Sequence, residues 1–149
     1  MASFTDPVHL TKRFRLLTQK KDIAGNVFVY LKGLASTAIG DWVVYDELGV
    51  TTRLITTSAG PVGISMAANI LSTTFSWYLI DGVALGNAAT AYADNATVNG
   101  TATPGVVDDD SVATAAEVQI FGAIGRSALS GSQALFQVYR PYKSLAVLD

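Results

Sequence analysis

The sequence predicts a mainly β protein, a compact β-barrel or β-sandwich with an extended N-terminal arm. Three observations carry that prediction. Short β-rich alternating runs recur along the 149 residues, glycine-bearing turn signals stand between them, and no long stretch shows an apolar stripe at helical spacing. Strands this short, with turns this frequent, assemble as sandwiches or barrels.

The elements follow in chain order. Residues 1–25 read as a basic arm, in which Lys12, Arg13, Arg15, Lys20 and Lys21 face only Asp6 and Asp22. Residues 26–149 read as the β domain. Val27, Val29 and Leu31 alternate with Phe28 and Tyr30, and Lys32-Gly33 closes that run. Turn signals follow at Ile39-Gly40-Asp41, Leu48-Gly49 and Ala59-Gly60-Pro61, framing the run that begins at Trp42. Phe75, Trp77 and Leu79 alternate with Ser76 and Tyr78, and Asp81-Gly82 is expected to turn the chain. Further turns fall at Asn99-Gly100 and Pro104-Gly105. Ser111 to Val118 is the one candidate for a helical turn or two, with Ser111 as its cap. Val118 and Ile120 alternate with Glu117 and Gln119; after Ser130-Gly131, Phe136 and Val138 alternate with Gln137 and Tyr139.

The chain also resembles itself. GDWVVYD from Gly40, GPVGISMA from Gly60 and FSWYLIDG from Phe75 are followed in the same order by GNAATAYAD from Gly86, GAIGRSAL from Gly122 and ALFQVYRPY from Ala134. Gly60, Gly63 and Ser65 align with Gly122, Gly125 and Ser127. The domain thus divides into two tandem β units, about 26–82 and 83–142, with an insertion in the second near Asp108-Asp109-Asp110.

Charge narrows the function. Asp, Glu, Lys and Arg make up 15% of the chain, against about 25% in an average soluble domain, and the formal net charge is -2. Residues 54–125 hold no base at all. The charge-free run from Leu54 to Ile80 is long enough to span a bilayer, but its Ser, Thr and Asn residues and Gly60-Pro61 argue against a membrane helix. MASFTDPVHL has the wrong charge order for a secretory signal. The six bases of the first 32 residues, the five of the arm and Lys32, mixed with Phe14, Leu16 and Leu17, make a weak nucleic-acid footprint, so neither membrane nor nucleic acid is expected as a partner. A surface covered by protein partners remains, because interface cores are depleted in charge and enriched in aromatic residues.

Catalytic chemistry finds little to work with. There is no cysteine, and His9 is the lone histidine, which leaves no thiolate or multi-histidine metal site and no serine-histidine pair near a Gly-x-Ser-x-Gly elbow. Asp41, Asp46, Glu47, Asp81 and Asp94 read as turn carboxylates. Asp108-Asp109-Asp110 lacks the spaced oxygens of a calcium loop. No cofactor and no enzymatic activity are expected.

Five stretches in order, GDWVVYDELGVTTRL, AGPVGISMA, AYADNATVNGTATPG, FGAIGRSAL and ALFQVYRPY, resemble the small capsid decoration (cement) proteins of tailed bacteriophages. They cover roughly residues 40–142. The resemblance implies a structural virion protein on the capsid outer surface, made in the host cytoplasm. It would bind the major capsid protein where subunits meet, stabilise those contacts, and act as a homo-oligomer, with a trimer favoured. Candidate contact residues are Lys12, Arg13, Phe14, Arg15 and Leu17 on the arm, Tyr30, Tyr78, Tyr139 and Tyr142 beside core positions or at strand ends, and Arg140. Trp42 and Trp77 are assigned to the core. The alternative is a carbohydrate-binding β-sandwich that stacks exposed aromatic residues on sugar rings.

Overall fold

Three alternating runs of the sequence become the frame of a single curled sheet. The computed structural model describes residues 8–69, 74–109 and 119–144, and among these there is no helix. The strands are β1 (Gln19–Lys21), β2 (Val27–Lys32), β3 (Trp42–Tyr45), β4 (Thr51–Arg53), β5 (Gly60–Ser65), β6 (Phe75–Asn87), β7 (Asn99–Gly100), β8 (Val107–Asp108), β9 (Phe121–Gly125) and β10 (Gln133–Lys143). The mainly β barrel or sandwich class is thus the observed one. The candidate helical turns at 111–118 lie outside the described residues, as do residues 1–7 of the arm and Asp110.

Eight strands form one antiparallel sheet in the order β1-β2-β6-β10-β5-β3-β4, with β9 on β10 and β5 also paired to β6. β7 and β8 form a small second sheet. The large sheet curls back on itself. Lys32 at the end of β2 meets Val50 just before β4, with Lys32 N–H donating to Gly49 O (2.9 Å) and the Thr51 hydroxyl donating to Lys32 O (2.7 Å).

β6 is the spine. Its first half pairs with β2, its second half with β10, and it runs unbroken through residues 82 and 83. The turn expected at Asp81-Gly82 is therefore not a turn. Val27 pairs with Asp81 and Phe28 with Leu79, which leaves Ile80 as the extra residue of a β-bulge. One extra residue reverses the alternation of faces. Trp77 and Leu79 before it, and Ala84 after it, consequently reach the same core. Gly82 takes φ +135, a backbone conformation that a Cβ would strain, and Asn26 fills the space a Cβ would need. A glycine after an aspartate reads as a turn, yet here it follows the bulge and lets the strand continue.

β10 uses the same device. Ala134, Phe136 and Val138 point into the core, the register against β9 shifts between Val138 and Tyr142, and Arg140 takes φ +42. Beyond it Pro141 and Lys143 are buried while Tyr142 is exposed. At Tyr142 the two Gly-x-x-Gly strands flank β10, Pro61 of β5 on one side and Phe121 of β9 on the other.

Both faces of the frame are covered, which explains why VFVYLK, WVVY and FSWYLI carry so few polar residues. One face holds Phe28, Tyr30, Trp42, Ile64, Leu79 and Phe136; the other holds Val29, Leu31, Val43, Tyr78 and Ile80. Phe136 is the hinge of the larger core, with its ring edge-to-face at 5.0 Å from Trp42 and 5.1 Å from Tyr92. Each such pair contributes about 0.5–1.5 kcal/mol beyond its burial. Lys143 is fully buried, and its ammonium donates to Thr56 O (2.6 Å) and Ser58 O (2.7 Å), fastening β10 to the loop before β5.

Candidate functional site

The arm does not stand away from the body over its described length. His9 and Phe75 exchange backbone hydrogen bonds, His9 N–H to Phe75 O (2.8 Å) and Phe75 N–H to His9 O (2.9 Å). The His9 Nδ1 lies 2.8 Å from the Tyr30 hydroxyl, to which Arg13 N–H also donates (3.3 Å). Phe14 then lays its ring 5.3 Å from Tyr30 and 5.4 Å from Trp77. Lys20 sits over the same indole at 5.6 Å, within cation–π reach. The only histidine of the chain therefore anchors the arm to an aromatic floor of Tyr30, Phe75 and Trp77.

That folding decides which candidate residues reach solvent. Lys12, Arg13, Phe14, Arg15 and Leu17 are exposed, with Phe14 at 44% and Leu17 at 38%. On β10, Tyr139 (63%), Arg140 and Tyr142 (50%) are exposed as well. Tyr30 and Tyr78 correct the expectation: both are fully buried. Alternation beside a core-facing residue points each to the surface, but β2 and β6 are covered on both faces. Tyr30 spends its ring beneath Phe14, and the Tyr78 hydroxyl accepts from the Asn69 side chain (3.0 Å). Trp42 and Trp77 are core residues.

The two exposed groups are joined. The Arg140 guanidinium donates to the Gln19 side chain of β1 (3.1 Å), and Asp81 stands in register with Val27 and Tyr139, so β1, β2, β6 and β10 carry one row from Lys21 to Tyr139. The result is a strip of cations and half-exposed rings running from the arm across β1 to the β10 bulge. Lys12, Arg13, Arg15 and Lys21 have no carboxylate within ion-pair distance among the described residues. Arg140 also lies near Tyr45, where its charge opposes the burial that raises that tyrosine's pKa. Sequence reading missed two further exposed apolar residues, Leu10 (70%) and Phe121 (51%). Phe121 had a signal in its place directly before the Gly-x-x-Gly at 122–125, and in the fold it pairs with Tyr142.

Beside the strip lies an open cleft of about 600 Å³, with Leu17, Tyr45, Val50 and Pro61 in its walls and Asp46 and Glu47 at its margin. Asp46 is committed to its turn, accepting from Leu48 and Val50 N–H at 2.9 Å each. Among the described residues no three His, Cys, Asp or Glu side chains converge as a metal site, and no helix is long and apolar enough to cross a membrane. Asp109 accepts from Ala93 N–H (2.8 Å), tying its loop to the segment after β6, and Asp108 accepts from Asp109 N–H (2.8 Å).

Fold and surface together define a mainly β protein whose curled sheet displays a basic, aromatic strip. No protein-family model matches the chain, and no curated protein or solved structure matches it significantly.

Proposed function

We propose that the protein is a structural virion component that binds the outer surface of a tailed-phage capsid and stabilises contacts between major capsid subunits, without a cofactor and without catalysis. The observation that carries this reading is the strip itself: Lys12, Arg13, Arg15 and Lys21, with no carboxylate at ion-pair distance among the described residues, beside exposed Phe14, Tyr139 and Tyr142 on a body otherwise poor in charge. Aromatic and arginine residues are the usual anchors of protein interfaces. Acidic groups on the capsid would complement the strip and set its approach.

The test is co-sedimentation with shells of the cognate phage assembled without this protein. The wild-type chain should pellet with the shells and raise their melting temperature. Arg13→Glu/Arg15→Glu should weaken binding by roughly tenfold, since exposed ion pairs contribute about 0.2–1 kcal/mol each and reversal adds repulsion. No binding of the wild-type chain overturns the proposal. A sugar-binding module would have to rely on Tyr139 and Tyr142, because both tryptophans are buried. Retention on a glycan array that Tyr139→Ala abolishes would favour that reading instead.

A further inference from the structure

We infer that the arm exchanges between copies of this chain, residues 8–16 of one copy lying on the Tyr30–Phe75–Trp77 floor of another. The arm's seat is small and self-contained. It consists of the His9–Phe75 backbone pair, the two contacts to the Tyr30 hydroxyl, and the Phe14 ring on Tyr30 and Trp77. The hydrogen-bond and ring partners in it belong to β2, β6 or their ends, Leu16 at the join lies beside Gly49 between β3 and β4, and the pairing of β2 with β6 does not involve the arm. A neighbouring copy therefore offers an identical seat, so exchange replaces each contact by its equivalent.

The join between arm and body supplies the reason to open. Leu17 takes φ +70, a left-handed conformation that an L-residue other than glycine, asparagine or aspartate adopts at a cost. It lies in a tight turn in which Thr18 N–H (3.2 Å) and the Thr18 hydroxyl (2.6 Å) both donate to Arg15 O. Directly beyond it the chain is sewn to the body, Leu17 N–H to Tyr30 O (2.8 Å) and Tyr30 N–H to Thr18 O (2.9 Å). A short strained hinge between a detachable segment and a fixed body is the arrangement that favours segment exchange. Lifting the arm without replacing it would uncover the Tyr30 and Trp77 rings. The arm of another copy is the occupant whose chemistry already fits them. This linkage does not depend on the capsid reading.

The absence of cysteine makes the test clean. Residues 9 and 75 form a hydrogen-bonded antiparallel pair, for which Cα atoms stand about 5.5 Å apart, within the span of a disulfide. His9→Cys and Phe75→Cys, one carrying a mass tag, are mixed and oxidised. Exchange predicts the 9–75 cross-linked heterodimer in several-fold excess over 9–9 and 75–75 species. A heterodimer no more abundant than those species, while the double variant closes within one chain, overturns the inference. Sedimentation velocity of the unaltered chain guards against a folding defect in the variants. Association that rises with concentration and disappears on deletion of residues 1–17 supports exchange, and a monomer at every concentration overturns it.

Discussion

Replacing Asp41 by alanine should cost the fold about 3–4 kcal/mol, although Asp41 belongs to no ligand site and reads in the sequence as a turn residue. Its carboxylate is 1% exposed and holds three donors. Oδ2 accepts from Ala38 N–H (2.8 Å) and Arg53 Nε (2.9 Å), and Oδ1 accepts from the Asn87 amide (2.8 Å), whose own oxygen accepts from Gln133 (3.0 Å). One carboxylate thus ties the turn before β3 to β4, to the end of β6 and to the start of β10. Hydrogen bonds to a charged group contribute about 1.5–3 kcal/mol each. The Arg53 side chain, 28% exposed, would recover part of its loss from water. The remainder falls at the low end of the roughly 3–5 kcal/mol typical of a broken buried pair. At about 2–4 °C per kcal/mol for a chain of this size, the melting temperature should fall by about 6–16 °C. Thermal and urea unfolding followed by circular dichroism would measure it. Pairing the variant with Arg53→Ala in a double-mutant cycle isolates the ion pair. A loss below about 1 kcal/mol, or additivity of the two substitutions, would refute the reasoning. Enlarging the side chain gives no escape: a Cβ on Gly105 would lie 2.6 Å from the Asp41 Cγ, so the carboxylate already fills its space.

Alkaline pH should unfold the protein, with ionisation of Tyr45, Tyr78 and Tyr92 confined to the transition. Burial raises the pKa of Tyr45, Tyr78 and Tyr92, and Asp109 and Asp108 add to the rise at Tyr92. In the unfolded chain these phenols ionise near pH 10, while in the folded one they keep their protons. Their contribution to stability is therefore complete below pH 10 and is lost as pH rises through their raised folded values. Lys143, whose pKa burial lowers, acts in the opposite sense, favouring the fold as pH approaches the ordinary lysine value. Absorbance at 295 nm and circular dichroism recorded together should change together for the buried phenols; tyrosinate absorbance from all six tyrosines before any loss of structure would contradict this. Gly125→Ala should destabilise by about 1–3 kcal/mol in urea unfolding, because its Cβ would stand 2.6 Å from the Tyr92 ring and hydroxyl, and an unchanged midpoint would show that Tyr92 yields freely.

Much of the frame was legible because burial on both faces writes itself as near-continuous β-branched and aromatic residues. The runs at 27–31, 75–79 and 136–139 lie inside β2, β6 and β10. Their lengths were not legible. β6 continues to Asn87 and β10 to Lys143 because the extra residue Ile80 in one and the register shift around Arg140 in the other change the alternation, and a bulge is invisible to a pattern of period two. The run read at Glu117–Ile120 shows the same limit. Of its described part, Gln119 makes one bridge, and the strand proper begins at Phe121. On the surface, the arm cations, Tyr139, Arg140 and Tyr142 were found from composition and strand position. Tyr30 and Tyr78 were misplaced because one sequence does not reveal how many faces of a strand are covered.

The sequence by itself determined a β body with few charges, a basic segment ahead of it and no residue set for thiol or multi-histidine chemistry, because these depend on composition and on local alternation. Only the tertiary structure decided that the arm lies on its own sheet, that the lone histidine anchors it, that Lys143 is buried, and that Asp41 ties four segments together. Those facts depend on residues tens of positions apart, brought into contact by the curl of the sheet and the two bulges that shape it.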